Sequence, residues 1–374
     1  MSDSAVLFLE LAAIAIVFAG IPLAYLFSRP SLNLFQRLNW TIVFLTFDLI
    51  VFGAFTRLSD SGLGCPDWPG CYGTSNPFRA MEQIRLAEAA MPDGPVTEVK
   101  AWIEMLHRYL AMTVGALIVL QVGLAIAKVK ELGTKAIVGS VILLVLVCLQ
   151  GAFGAWTVTL KLQPIIVSIH LILALILLAL LTWYAQQPWQ NNNSRSYVPL
   201  LSGKLLAVSF GILFWQVFLG AWVSTNYAVL ACPDFPTCMG TFSPDTDWRN
   251  AFTLWRELGR DAQGGTISTV ALQTIHWVHR VFAILVMLVL GYFAWHAWRN
   301  AAQHNSPALG RWALAVLALL VLQVITGISN VVFQWPLLAA LLHTAGAAAL
   351  VLCLVRMGAW ASWSRSLLSA RRIA

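Results

Sequence analysis

Charge is what this sequence has least of. Asp, Glu, Lys and Arg make up 10% of its 374 residues, against 59% hydrophobic residues. Soluble domains carry about 25% charged residues, so this balance excludes two or three water-soluble domains. Basic residues are missing ahead of the first apolar run, which carries Asp3 and Glu10 early instead. That run is also too long for a cleavable signal peptide, so it reads as a retained helix. Histidine is missing from the two long loops that carry cysteine pairs, residues 59–102 and 227–270. The net charge of +7 sits in short loops between apolar runs, where it reads as a topology signal and excludes a nucleic-acid partner.

What is present is a succession of apolar runs of membrane-spanning length. Nine are readable, at roughly 5–28, 40–58, 103–127, 136–158, 165–186, 204–226, 271–298, 310–332 and 337–360. Each is near the ~20 residues that a bilayer requires, so the expected class is an all-α polytopic membrane protein. Arg29 and Arg37; Lys128, Lys130 and Lys135; Arg195 and Lys204; Arg299 and Arg311; and Arg356, Arg365, Arg371 and Arg372 fall in alternate connections. Those connections are expected in the cytoplasm, with the N-terminus outside and the C-terminus inside a bacterial-type cytoplasmic membrane.

Cysteine usage agrees with this orientation. Cys65-Pro-Asp-Trp-Pro-Gly-Cys71 and Cys232-Pro-Asp-Phe-Pro-Thr-Cys238 lie on the two long loops assigned to the outside. In an oxidising space the simplest reading is two disulfides, Cys65–Cys71 and Cys232–Cys238. A zinc site is the competing reading, for which the loops offer no histidine. Cys148 and Cys353 lie within spans and read as inert buried thiols.

The cysteine elements stand 167 residues apart, and Gly53-Ala54 and Gly220-Ala221 keep that offset. His107 and His279 are 172 apart; Gln150 and Gln323, Gly154 and Gly327, and His170 and His343 are each 173 apart. A near-constant offset through four successive spans predicts a duplicated four-helix unit, residues 40–186 and 204–360. An even number of spans per unit gives both copies the same orientation, a parallel repeat. The expected architecture is two four-helix bundles with eight core helices. Residues 1–39 add an extra N-terminal transmembrane helix and loop, 187–203 a cytoplasmic linker and 361–374 a basic cytoplasmic tail.

Four of seven histidines occupy matched positions: His107 and His170 in one unit, His279 and His343 in the other. Each lies a few turns inside the outer end of a span, about 8–13 Å deep at ~1.5 Å per residue. Two facing imidazoles inside a four-helix bundle suit the two axial positions of a haem iron. The plainer reading, that each histidine hydrogen-bonds a neighbouring helix, is weaker for two pairs at equal depth. His296 and His304 lie at or beyond the cytoplasmic end and receive no role. The units differ at one neighbour: Glu104-x-x-His107-Arg108 in the first becomes His276-x-x-His279-Arg280 in the second. Glu104 reads either as an i,i+4 partner of Arg108 or as an acid or base at a porphyrin edge. Arg57, Arg108 and Arg280 read either as partners of haem propionates or as snorkelling interfacial residues.

Taken together, these residues resemble the haem A synthase family. The likeness is carried by Gly53-Ala-Phe-Thr-Arg57, Ser61-Gly-Leu-Gly-Cys65 running to Cys71, Glu104-x-x-His107-Arg108, His170, His276-x-x-His279-Arg280 and His343. It spans about residues 40–360, and the N-terminal helix departs from the family's usual eight-helix core. The resemblance implies oxidation of the C8 methyl of haem O to the formyl group of haem A. Two successive hydroxylations are implied, the second giving a gem-diol that loses water. By the same resemblance His107 and His170 hold the substrate porphyrin, and His279 and His343 ligate a haem B cofactor. Glu104 acts near the methyl, as base or as stabiliser of positive charge, with Arg57, Arg108, His276 and Arg280 as positioning candidates. Cys65–Cys71 sits over the substrate site, in redox or substrate transfer, and Cys232–Cys238 is structural. Implied partners are haem O, membrane lipid, an electron acceptor and the enzyme that makes haem O; an oligomer stays open. Six-coordinate haems disfavour direct O₂ activation, which makes water the expected oxygen source. The alternative is a di-haem quinol or cytochrome electron-transfer protein. A transporter built from parallel repeats is a further one, but it expects broken helices near the midplane.

Overall fold

The computed structural model describes residues 32–187, 201–261 and 263–373 together with 24 and 28, with only the backbone described over 363–373. Apart from 24 and 28, the expected first span at 5–28 lies outside the described residues, as does most of the linker 187–203. Eight described helices are long and apolar enough to cross a membrane. They are α1 (Leu34–Leu58), α2 (Glu98–Ala127), α3 (Thr134–Thr159), α4 (Pro164–Ala185), α5 (Gly203–Thr225), α6 (Thr269–Gln303), α7 (Pro307–Val332) and α8 (Leu337–Ile373). The described residues contain no strand. The protein is therefore an all-α, multi-pass membrane protein.

Local chemistry sets where these helices start. Asn33 accepts from the Gln36 N–H while the Gln36 side chain accepts from the Asn33 N–H, a capping box. α1 accordingly begins before residue 40, where hydrophobicity alone would start it. Thr97, Ser202 and Ser268 cap α2, α5 and α6 in the same manner, each accepting a backbone N–H three residues on. Pro164 and Pro307 occupy first turns, where the missing N–H costs nothing. α8 runs on to Ile373, through the stretch expected as a basic tail.

The chain divides into two compact units, Met1–Gln190 and Asn191–Ala374. In the first, α1 packs on α2, α2 on α3, α3 on α4 and α4 back on α1, closing a four-helix ring. In the second, α5 to α8 close in the same order. The outward sides are apolar. On α3 the exposed residues Val138, Val141, Ile142, Val145 and Leu149 form one stripe at three- and four-residue spacing. A patch of that kind is a liability in water and an ordinary surface in lipid.

The ends of the two bundles away from the disulfide loops differ in chemistry. Asn39, Gln121, Ser140 and Tyr184 are buried in the first unit; Leu206, Phe293, Ala313 and Met357, at the matched positions, are buried in the second. The Tyr184 hydroxyl lies 2.7 Å from Ser140 Oγ and donates to the Ala136 carbonyl at 2.6 Å. Neither amide atom of Asn39 finds a hydrogen-bond partner. One bundle thus carries a polar floor and the other an apolar one.

Candidate functional site

Each unit carries a loop stapled by a disulfide: Cys65–Cys71 in the first and Cys232–Cys238 in the second. Asp67 folds the first loop by accepting from the Tyr72 and Gly73 N–H groups at 2.6 and 2.7 Å. Asp234 accepts from Met239 and Gly240 at 2.7 and 2.9 Å and from the Thr237 hydroxyl. Those bonds, the Thr237 hydroxyl first among them, hold the Asp234 carboxyl down at about 2. In both loops the residue pair after the second cysteine turns through left-handed backbone, Tyr72-Gly73 and Met239-Gly240. The disulfides and the absence of any cluster of three or more His, Cys, Asp or Glu among the described residues leave no zinc site in the loops.

An arginine locks each loop to the helix below it. Arg108 Nη1 donates to the carbonyls of Asp67 at 2.8 Å and of Gly70. Arg280 donates to the carbonyls of Cys232, Asp234 and Thr237 at 2.6, 2.8 and 3.0 Å. The sequence expects each as a propionate partner or a snorkelling interfacial residue; in the structure their donors hold loop carbonyls. Arg57 stands in the last turn of α1, half-buried. Glu104 is 4% exposed, and its two oxygens have separate partners. Oε1 pairs with Arg108 Nη2 at 2.5 Å, and Oε2 accepts the Cys65 N–H at 2.8 Å. The carboxylate therefore ties α2 to the first cysteine of its own loop. In the second unit His276 takes that place and accepts from Arg280 Nε at 3.1 Å.

The four matched histidines are half-buried, whereas His276 is 4% exposed. His107 and His170 are electrostatic neighbours across the first bundle, and His279 and His343 across the second. Every one of these rings faces a glycine of a neighbouring helix. A Cβ at Gly53 would lie 2.9 Å from His107 Nε2, and one at Gly220 3.0 Å from His279 Cε1. At Gly154 and Gly327 it would lie 3.3 and 3.4 Å from Cε1 of His170 and His343. Bare backbone makes room for four imidazoles in two crowded bundles.

Glutamine amides hold three of the same histidines. Gln150, Gln216 and Gln323 donate to the backbone carbonyls of His170, His279 and His343 at 2.9, 3.2 and 2.9 Å. His107 instead lies parallel to the Phe52 ring, at 6.4 Å between centroids. The four glycines, Gln150 and Gln323 are visible in the sequence as parts of the repeat, but nothing there gives them a role, and Gln216 has Leu49 at its matched position.

These features fit a haem in each bundle. Two imidazoles with no third protein donor suit an iron that brings four equatorial ligands of its own. Glycine opposite every ring gives the imidazoles room, and the Nδ1 of His170 is buried without a partner.

The fold and site define a polytopic helical membrane protein with two histidine pairs under two disulfide loops. The chain belongs to the cytochrome oxidase assembly protein family, whose model matches residues 36–355. It is 38% identical over 342 residues to a heme A synthase of Shewanella oneidensis, covering 90% of this chain and 100% of that one. It is 30% identical over 324 residues to a heme A synthase of Caulobacter vibrioides, covering 82% of this chain and 90% of the relative.

Proposed function

We propose that this chain is a membrane oxidoreductase that converts haem O into haem A. The observation that carries the reading is an asymmetry: two matched histidine pairs, of which one has Glu104 beside it and the other His276. A catalytic site and an electron-accepting site built on the same fold require such a difference. Relatives covered over nearly their whole length and named heme A synthase support it.

In this reading the C8 methyl of haem O takes up one water oxygen and becomes a formyl group, releasing four protons and four electrons. His107 and His170 hold the substrate porphyrin in the first repeat, residues 40–186. His279 and His343 hold haem B in the second, residues 204–360; when bound, haem B supplies one-electron transfer towards an acceptor. Glu104 has about four lone-pair sites and gives one to Cys65 N–H and one to Arg108, so acceptor capacity remains for a released proton. Arg108 and Arg280 act as positioning residues by fixing the loops, and their guanidinium groups, with that of Arg57 in the last turn of α1, are of the kind that pairs with haem propionates. The Cys65–Cys71 loop, through the Cys65 N–H, sets where the carboxylate stands. Alternating basic connections support cytoplasmic placement of the C-terminus and an outer placement of both disulfide loops.

Extraction of haems from the purified protein tests the assignment. Haem B together with haem O or haem A is expected; haem B alone at two per chain would instead make the protein an electron carrier. Formyl oxygen labelled from O₂ and not from water would remove the proposed oxygen source.

A further inference from the structure

The second histidine pair has a feature that the first lacks. Thr326, one turn along α7 from Leu322, is 4% exposed. Its hydroxyl lies 2.7 Å from the Leu322 carbonyl and 2.9 Å from His343 Nδ1. A hydroxyl has one proton and two lone pairs. The carbonyl can only accept, so the proton goes to Leu322 and the lone pair faces the ring. His343 must then carry its proton on Nδ1, which leaves Nε2 as a bare donor atom. Gln323, on the same turn, fixes the His343 backbone carbonyl at 2.9 Å.

At the matched position the first unit has Phe153, and the Nδ1 of His170 is buried with no hydrogen-bond partner. The contrast is confined to this ring: the Gln216 amide nitrogen lies 3.1 Å from His279 Nδ1 and 3.4 Å from its Nε2, and an amide N–H donates, so it does not place a proton on His279 Nδ1. Hydrogen bonds to the far ring nitrogen orient a ligating histidine and raise its basicity, and their loss typically costs roughly 10–100-fold in metal affinity.

We propose that Thr326 is a positioning residue that sets the tautomer of His343, so that the second bundle retains its porphyrin while the first, with Phe153 in that place, lets its porphyrin exchange. A cofactor site and a substrate site would then differ in how firmly one imidazole is held, with the ligand type unchanged. This inference rests on the histidine assignment proposed above.

The test is transfer of haem from the purified, haem-loaded protein to an excess of apomyoglobin, followed for wild type, Thr326→Val, Thr326→Ser and His343→Ala. Thr326→Val is expected to release second-site haem B about 10–100-fold faster and to change the g values of that haem in electron paramagnetic resonance. Thr326→Ser keeps the acceptor and is expected to restore both. A helix-packing role for Thr326 would leave the g values unmoved. If Thr326→Val fails to accumulate, Thr326→Ala removes the hydroxyl without added bulk and is read the same way. Wild-type transfer rate and g values in the valine or alanine variant would overturn the proposal. Retention of the second haem in His343→Ala would overturn the histidine assignment itself.

Discussion

Adding one methyl group at Gly53 sets helix stability against porphyrin binding. Alanine is favoured over glycine inside a helix by about 1 kcal/mol, so Gly53→Ala stabilises α1 on propensity alone. The new Cβ would lie 2.9 Å from His107 Nε2. Ordinary non-bonded contact begins near ~3.5 Å, so the ring must retreat by roughly 0.6 Å. Nε2 is one of the two ring nitrogens through which a histidine binds metal; loss of an outer-shell partner of such a ring already costs about 10–100-fold in affinity, or about 1.4–2.8 kcal/mol, and displacing the ring itself is expected to cost no less. Binding therefore falls while the bare helix gains. The same substitution grades along the set: Gly220→Ala meets His279 at 3.0 Å, Gly154→Ala meets His170 at 3.3 Å, and Gly327→Ala meets His343 at 3.4 Å. The assay is haem titration of the purified haem-free chain, with His279→Ala and His343→Ala isolating the first site and His107→Ala and His170→Ala the second. Melting of the haem-free variants is measured beside it. Within each unit, the glycine facing the second-helix histidine is expected to matter more than the one facing the fourth-helix histidine. Wild-type affinity in Gly53→Ala, or a larger loss in Gly327→Ala than in Gly220→Ala, refutes the reasoning.

Three further outcomes are expected. Glu104→Gln keeps its shape and its bond from Cys65 but loses the charge paired with Arg108, so haem content is retained while haem A formation stops; full turnover sinks the catalytic role. Asn39→Leu replaces a buried amide that has no partner with the residue of the second unit, and it raises the melting temperature, since an unsatisfied buried polar group costs about 1–3 kcal/mol. A fall would show that the amide binds something in the native protein. The Asp234 carboxyl is held at about 2 against an ordinary 3.8. Its contribution is therefore complete above about pH 4 and is lost as pH falls toward 2, so Asp234→Asn weakens the second loop at pH 7 and the difference from wild type closes in acid. Protease resistance of that loop in the two proteins across this range measures it.

Much of the molecule was legible because membrane helices are written in long apolar runs. All eight described spans were read, and the disulfide pairs followed from cysteine spacing and side of the membrane. Start points were read late where a polar cap precedes the apolar run: Asn33 and Gln36 begin α1, and Thr97 begins α2. The work of Arg108 and Arg280 was not legible either. Their partners are backbone carbonyls 38 to 48 residues away, and a carbonyl leaves no mark on residue type. The same holds for the glycines, whose importance lies in an atom they do not have.

A duplicated bundle begins with two equal sites, and unequal work requires residues that break the equality without breaking the fold. The substitutions that do so here occupy buried or half-buried positions in both units. Glu104 against His276 changes what stands one helical turn from His107 and His279, beside the porphyrin in the proposed function. Phe153 against Thr326 changes what meets the ring of His170 or His343, and Asn39 against Leu206 changes the floor of the bundle. Each is a single side chain on an unchanged helix, so the loops, the glycines and the histidines are free to stay the same. Exchanging the pairs one at a time, Phe153→Thr with Thr326→Phe first, is therefore expected to move porphyrin retention from one unit to the other before it moves stability. Equal loss of haem from both units on that exchange would mean that the asymmetry lies elsewhere.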